Sequence, residues 1–262
     1  SNRVVTADKI LIATGGYPSR ETEAEGIDLC ITSDDAFHLK TVPKSIVIVG
    51  GGYIALEFAH IFHGLGSQVS LIYRGAKVLG GFDDDLRDSL QHTMRQKGIR
   101  LILDTMLTSC KRTSTGIHVT TASGEICDAE QVMLAIGRRP YIVRLGLENA
   151  RVKLTLRGHV EVDEYSRTSA DNIYAVGDVT GRLELTPVAI HEAMCFVKTA
   201  FLGRPAAPDH ELIATAVFTR PEIGTVGLSQ EKALEQGYTV DIYKTSFWPV
   251  KHTLSGRQER MM

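Results

Sequence analysis

Ser45-Ile46-Val47-Ile48-Val49-Gly50-Gly51-Gly52-Tyr53-Ile54-Ala55 passes from an apolar run into three glycines and then into a helical pattern. Such an order predicts a strand, a tight turn and a helix whose first amides point outward. Glycines let the backbone turn sharply and approach a pyrophosphate, Ala55 keeps the helix near the strand, and the free N–H groups at the positive helix end hold the anion. Both flanks agree. Ile54, Phe58, Ile61, Phe62 and Leu65 recur at helical spacing, Gly64 and Gly66 supply a stop, and Val69 to Tyr73 make a second apolar strand. The expectation is a complete βαβ unit that binds a dinucleotide through Gly50, Gly51, Gly52, Tyr53 and Ile54.

The end of the second strand selects the nucleotide. An NAD-type site places a carboxylate roughly 20 residues past the glycines, on the ribose 2′-hydroxyl. Here the strand ends Leu71-Ile72-Tyr73-Arg74, so Tyr73 holds the acid's position and Arg74 offers a guanidinium suited to a 2′-phosphate. NADPH is therefore expected. The plainer reading of Arg74 is a solvated charge at a strand end, and Lys77 reads as surface.

The chain has 262 residues, enough for two domains, with 29 basic and 31 acidic side chains and a net charge of -2. Without a dense basic block, neither nucleic acid nor an anionic membrane is expected as a partner. No apolar run approaches the roughly 20 residues of a membrane span. The opening Ser1-Asn2-Arg3-Val4-Val5 fits neither a signal nor a transit peptide and looks like the middle of a longer protein. Cys30, Cys110, Cys127 and Cys195 fit neither a disulfide framework nor paired zinc ligands, which points to a reducing cytoplasm. His60 and His63 stand one helical turn apart with no third ligand in register, so they read as packing or surface residues.

Further along, Lys9 to Ala13 reads as a buried strand ending in Thr14-Gly15-Gly16, and the polar, proline-containing stretch to Pro43 as a connector. Asp83-Asp84-Asp85 opens a helix through Lys97, its acids placed to suit the helix dipole, and Ile99 to Leu103 is the next strand. Residues 107–111, 116–121 and 125–128 read as a small antiparallel meander, and Gln131 to Ile136 as a strand closed by Gly137-Arg138-Arg139-Pro140. Strands are expected at Val160 to Val162 and Ile173 to Val176, the latter ending in Gly177-Asp178. A helix follows with Thr186 as N-cap, Pro187 at its first position and Gly203 as its stop; its core stripe is read as Ile190, Met194, Val197 and Phe201. After the proline-rich hinge at 205–209 come strands at 213–218, 222–228 and 240–245, and a helix at 229–236.

Ile10 to Gly15, the Gly50-to-Ala55 fingerprint, Ala135-Ile136-Gly137-Arg138, Ile173 to Asp178 and Leu185-Thr186-Pro187 together resemble, in order and spacing, the flavin-dependent pyridine nucleotide-disulfide oxidoreductases. Phe218 to Leu228 resembles the opening of that family's dimerisation domain, and Lys251-His252-Thr253-Leu254-Ser255-Gly256 is similar to the glutathione reductases of plants and many bacteria.

The resemblance implies an α/β architecture: a Rossmann-like NAD(P)-binding βαβ domain with an antiparallel meander, flanked by part of an FAD-binding domain and the start of an α+β dimerisation domain. Its bounds would be 1–17 and 141–206 for FAD, 18–40 for the connector, 41–140 for NADPH and 207–262 for dimerisation. It also implies that Tyr53 lies over the flavin until NADPH displaces it and that Glu57 pairs with a lysine outside this sequence. Asp178 would accept from flavin ribityl hydroxyls, and Leu185, Thr186 and Pro187 would aim a helix N-terminus at the flavin pyrimidine. Thr14 and Gly15 would approach FAD from the other strand, with Ile136 and Gly137 beside NADPH. The implied reaction is reduction of glutathione disulfide by a cytoplasmic homodimer, through FAD and a redox disulfide.

Departures from the pattern bear on that reaction. Gly80 stands where related enzymes carry a second phosphate arginine, Tyr141 where an asparagine is usual, and Met194 where some glutathione reductases have an arginine. The redox cysteine pair, the first FAD glycine fingerprint and the late acid-base histidine are not in this sequence, so the chain supplies no catalytic residue and reads as an internal fragment. Rival readings are another superfamily member acting on a different disulfide or a metal ion, and a non-enzymatic NADP(H)-binding module.

Overall fold

The computed structural model describes residues 4–262; Ser1, Asn2 and Arg3, read above for a targeting signal, lie outside them. In chain order the elements are β1 (Ile10–Ile12), β2 (Gly16–Pro18), α1 (Ser33–Ala36), β3 (Ser45–Val49), α2 (Tyr53–Gly64), β4 (Gln68–Ile72), α3 (Asp84–Gln96) and β5 (Arg100–Ile102). Next are β6 (Leu107–Arg112), β7 (Ile117–Thr121), β8 (Ile126–Ala129), β9 (Gln131–Leu134), β10 (Arg138–Pro140) and β11 (Ile173–Ala175). The last are α4 (Thr186–Phe201), β12 (Thr215–Val217), β13 (Ile223–Thr225), α5 (Gln230–Glu235) and α6 (Val250–Ser255). They form two units, one from residues through Tyr17 with Arg138–Ile213, the other from Pro18–Gly137 with Ala214–Met262.

The second unit is built on a parallel sheet of order β5-β4-β3-β9. Because β3 is covered on both sides, its residues are apolar without alternation. Ile46 and Ile48 face a core with Leu56, Phe62, Leu71 and Met94. Val47 and Val49 face the opposite core with Cys30, Cys110, Val119 and Cys127, as period-two side chains must. The expected βαβ unit is present as β3-α2-β4, and the expected meander as antiparallel β6-β7-β8.

The stretch expected to connect domains is laid against this unit. Glu25 bridges Ser109 and Ile31 bridges Met133, so its backbone polar groups find partners on β6 and β9. In the C-terminal segment β12 and β13 pair as a hairpin, and Val217 and Ile223 complete the α2 core. The strand expected at 240–245 does not form. Those residues are β-prone yet have no neighbouring strand, and strand propensity is realised only against one.

In the first unit β1 and β11 pair in parallel, and β2 pairs with β10. Thus Arg138–Pro140 forms a strand where a break was expected. Only Ile12 of β1 is buried, and the strand expected at Val160 to Val162 is reduced to one bridge, Leu154 to Val160. The stripe on α4 requires correction: Ile190, Met194, Val197 and Phe201 are 43 to 63% exposed. The buried positions are Val188, Glu192, Cys195, Phe196 and Thr199. Both faces of α4 carry apolar residues, so periodicity could not choose between them; Phe196, packed with Tyr174 and Val176, marks the inward one.

Candidate nucleotide and flavin sites

Strands β3, β4 and β9 run in parallel, so the segments after them emerge at one sheet edge, where open α/β sheets bind ligands. Gly50 to Gly52 follow β3, Arg74 follows β4, and Ile136 and Gly137 follow β9. Gly50 has φ 141, and a Cβ there would lie 2.2 Å from the Ala135 carbonyl oxygen. A Cβ on Gly51 would meet the Tyr73 ring at 2.5 Å, whereas at Gly52, the N-cap of α2, it would meet nothing within 4 Å. Open space therefore lies before the first amides of α2. That helix has no side-chain cap and no acid in its first turn. By contrast, α3 and α5 are capped by Asp83 and Ser229 and have acidic first turns. The start of α2 fits a diphosphate.

Arg74 is exposed, and among the described residues it has no hydrogen bond or ion pair. Lys77, the other nearby cation, lies 2.9 Å from Asp88 and 3.7 Å from Asp84. Gly80 adds no charge, so of these two cations Arg74 is the one without an ion pair among the described residues. Tyr53 and Ile54 are partly buried against the α2 core. Glu57 accepts a hydrogen bond from the Phe218 N–H at 2.9 Å, an engagement not foreseen for it.

The first unit carries the residues expected at the flavin. Thr14 and Gly15 follow β1, and Asp178 follows β11 in a 3₁₀ turn, again at the carboxyl ends of parallel strands. The Thr14 hydroxyl donates to the Tyr141 carbonyl at 2.6 Å, while the Tyr141 N–H donates to the Gly15 carbonyl at 2.8 Å. Arg138 donates to the Gly16 carbonyl and lies 3.9 Å from the Asp178 carboxylate. Burial and the Asp178 charge push the Glu184 carboxyl above its ordinary value. The N-cap of α4 is Leu185, not Thr186: Leu185 is extended while Thr186 is already helical, and no side chain caps the end. With Pro187 and no acid in the first turn, this N-terminus also fits a group that bears negative charge.

Sequence reasoning missed Glu192. Only 1% exposed, its carboxylate accepts from the Gly177 N–H at 2.6 Å and faces His210 at 2.8 Å and Arg182 at 3.4 Å. It therefore holds the turn before Asp178 against α4. The available signal was a carboxylate inside an apolar helix. The Asp83-Asp84-Asp85 run serves as capping: Asp83 accepts from the Asp85 N–H at 3.0 Å and the Gln230 N–H at 3.3 Å. Among the described residues no group of three or more His, Cys, Asp or Glu could hold a metal, and no helix is long and apolar enough to cross a membrane.

Residues 1–193 match the profile of the pyridine nucleotide-disulphide oxidoreductases, and residues 213–262 match the dimerisation domain of the same family. A glutathione reductase of Burkholderia cepacia is 46% identical over 258 residues, covering 98% of this chain and 57% of that protein. A trypanothione reductase of Leishmania donovani is also 46% identical, covering 96% and 52% respectively. Among solved structures, the HOCl-induced flavoprotein disulfide reductase of Escherichia coli superposes with TM-score 0.84 at 28% identity, covering 91% of this chain and 55% of that one. The chain thus spans a little over half the length of the curated relatives it matches. With both family profiles matched in order, the chain belongs to the pyridine nucleotide-disulphide oxidoreductases.

Proposed function

We propose that the protein of which this chain is part is an NADPH-dependent disulfide reductase whose substrate is glutathione disulfide. FAD, when bound, supplies a two-electron relay between the nicotinamide and a redox disulfide outside this sequence. This chain's residues bind and orient. The α2 amides after Gly50 to Gly52 neutralise the NADPH diphosphate, Arg74 pairs with the 2′-phosphate, Ile136 and Gly137 flank the nucleotide, and Tyr53 covers the flavin until the nucleotide displaces it. Thr14, Gly15 and Asp178 hold the flavin chain, and the α4 N-terminus at Leu185, Thr186 and Pro187 favours negative charge on the pyrimidine. Glu57 steadies α2.

The observation that carries this reading is that α2 and α4 each begin beside strand carboxyl ends without a side-chain cap or acid in the first turn. Residues 207–262 would contribute to a homodimer, following residues 141–206 of the FAD-binding part, and the enzyme would work in the cytoplasm. The test is steady-state NADPH oxidation by the full-length protein with glutathione disulfide, trypanothione disulfide or neither. Preference for glutathione disulfide by kcat/KM supports the assignment. Preference for trypanothione disulfide reassigns the substrate, and NADPH binding without turnover on any disulfide overturns the enzyme in favour of a binding module.

A further inference from the structure

Two thiols that lie 80 positions apart in sequence meet in the second unit. The Sγ atoms of Cys30 and Cys110 are 3.6 Å apart, and each residue is 3% exposed. Backbone pairing fixes the approach. The Glu25 N–H donates to the Thr108 carbonyl at 2.9 Å, and the Cys110 N–H to the Glu25 carbonyl at 2.8 Å. Gly26 permits it, because a Cβ there would lie 2.0 Å from the Cys110 carbonyl oxygen. At the other side Arg20 donates to the Cys30 carbonyl at 2.9 Å. Cys127 stands one strand beyond Val119, which itself pairs with Cys110, and Cys195 belongs to the first unit. Among the described residues, this is the one pair of thiols in contact.

We propose that Cys30 and Cys110 are a modification site, joined by a reversible disulfide when the protein meets a hydroperoxide. The two thiols share one hydrogen bond; with Cys110 as its acceptor, that bond holds the Cys110 pKa below the ordinary thiol value and, with burial, raises Cys30, which favours Cys110 as the attacking sulfur. Attack breaks the peroxide O–O bond, releases an alcohol or water and leaves Cys110 as a sulfenic acid. The Cys30 sulfur then displaces that oxygen as water, forming the S–S bond. Two thiols lose two protons and two electrons, and one hydroperoxide becomes an alcohol and water. Side-chain rotation has to close about 1.5 Å between contact and bond. The product would clamp residues 25–31 onto β6.

Hydrogen peroxide is the probe, added in graded excess to the reduced full-length protein, followed by alkylation in denaturant and peptide mapping without reductant. The expected result is a crosslink between the Cys30 and Cys110 peptides that dithiothreitol removes and that persists in Cys127→Ser. The thermal midpoint should rise by several degrees in the oxidised wild type. In Cys30→Ser, dimedone should label Cys110. The proposal is overturned if both residues remain alkylated while other cysteines oxidise, or if Cys127 and Cys195 react as readily as this pair. The mapping of the wild type needs no variant to fold.

Discussion

Gly51 and Tyr73 illustrate how a residue can have a reason other than its apparent one. Gly51 reads from sequence as part of an anion-binding turn, yet the space its missing Cβ leaves is filled by the Tyr73 ring. The same ring would crowd a Cβ at Gly75, at 2.9 Å. Its neighbour Arg74 was read from sequence as a phosphate ligand, and among the described residues it has no ion pair to compete with that reading. Arg74→Ala should weaken NADPH about 10- to 100-fold while leaving NADH within about twofold, since a hydrogen-bonded charge contributes about 1.5–3 kcal/mol; paired calorimetric titrations measure the difference. Equal losses for both nucleotides would assign Arg74 a structural role. His60 was read only as packing or surface, and it is buried, donating from Nδ1 to the Leu56 carbonyl at 2.8 Å with Nε2 unpartnered. Burial holds its pKa below the ordinary histidine value, with the Lys97 charge acting in the same direction. The folded state therefore binds fewer protons than the unfolded one below about pH 6.5, so unfolding takes up a proton and acid favours it. Stability present above that pH should decline as pH falls toward 5, and His60→Phe should flatten the decline in urea titrations.

Elements differ in how much of them periodicity can reveal. The β3-α2-β4 unit was legible because an apolar run, a glycine turn and a helical repeat follow each other within one short stretch. The meander was legible from its turn glycines. On α4 the repeat was real but pointed outward, because a helix apolar on both sides needs a neighbour to decide which face is buried. The 240–245 stretch had strand composition but no partner. Capping sits between these cases, since the Asp83 run predicted the start of α3 but not its contact with α5. Asp83→Ala removes an acceptor from both the Asp85 and Gln230 amides. It should cost about 1–2 kcal/mol in urea unfolding, and Asp83→Asn should recover most of it. A loss for Asn as large as for Ala would place the effect in charge instead of capping.

At the scale of the molecule, the hidden information is what meets across long sequence separations. The order of motifs was readable along the chain; the placement of residues 18–40 against β6 and β9, and of β12 and β13 against the α2 core, was not, because nothing local encodes a distant partner. Val217 and Ile223 are 0% and 8% exposed inside a core otherwise drawn from residues before 137. A chain ending at Ile213 should lose roughly 3–6 kcal/mol from its second unit, the value of burying two such side chains. Urea unfolding with a hydrophobic dye as a second probe measures this, and an unchanged midpoint would show that the core closes without them.

Because those two side chains are made long after β9, a ribosome adding about 5–20 residues per second exposes the underside of α2 for several seconds before they emerge. During that interval the nascent polypeptide presents an oily surface that only its own later translation covers, so pausing between codons 137 and 217 should lengthen its engagement by chaperones.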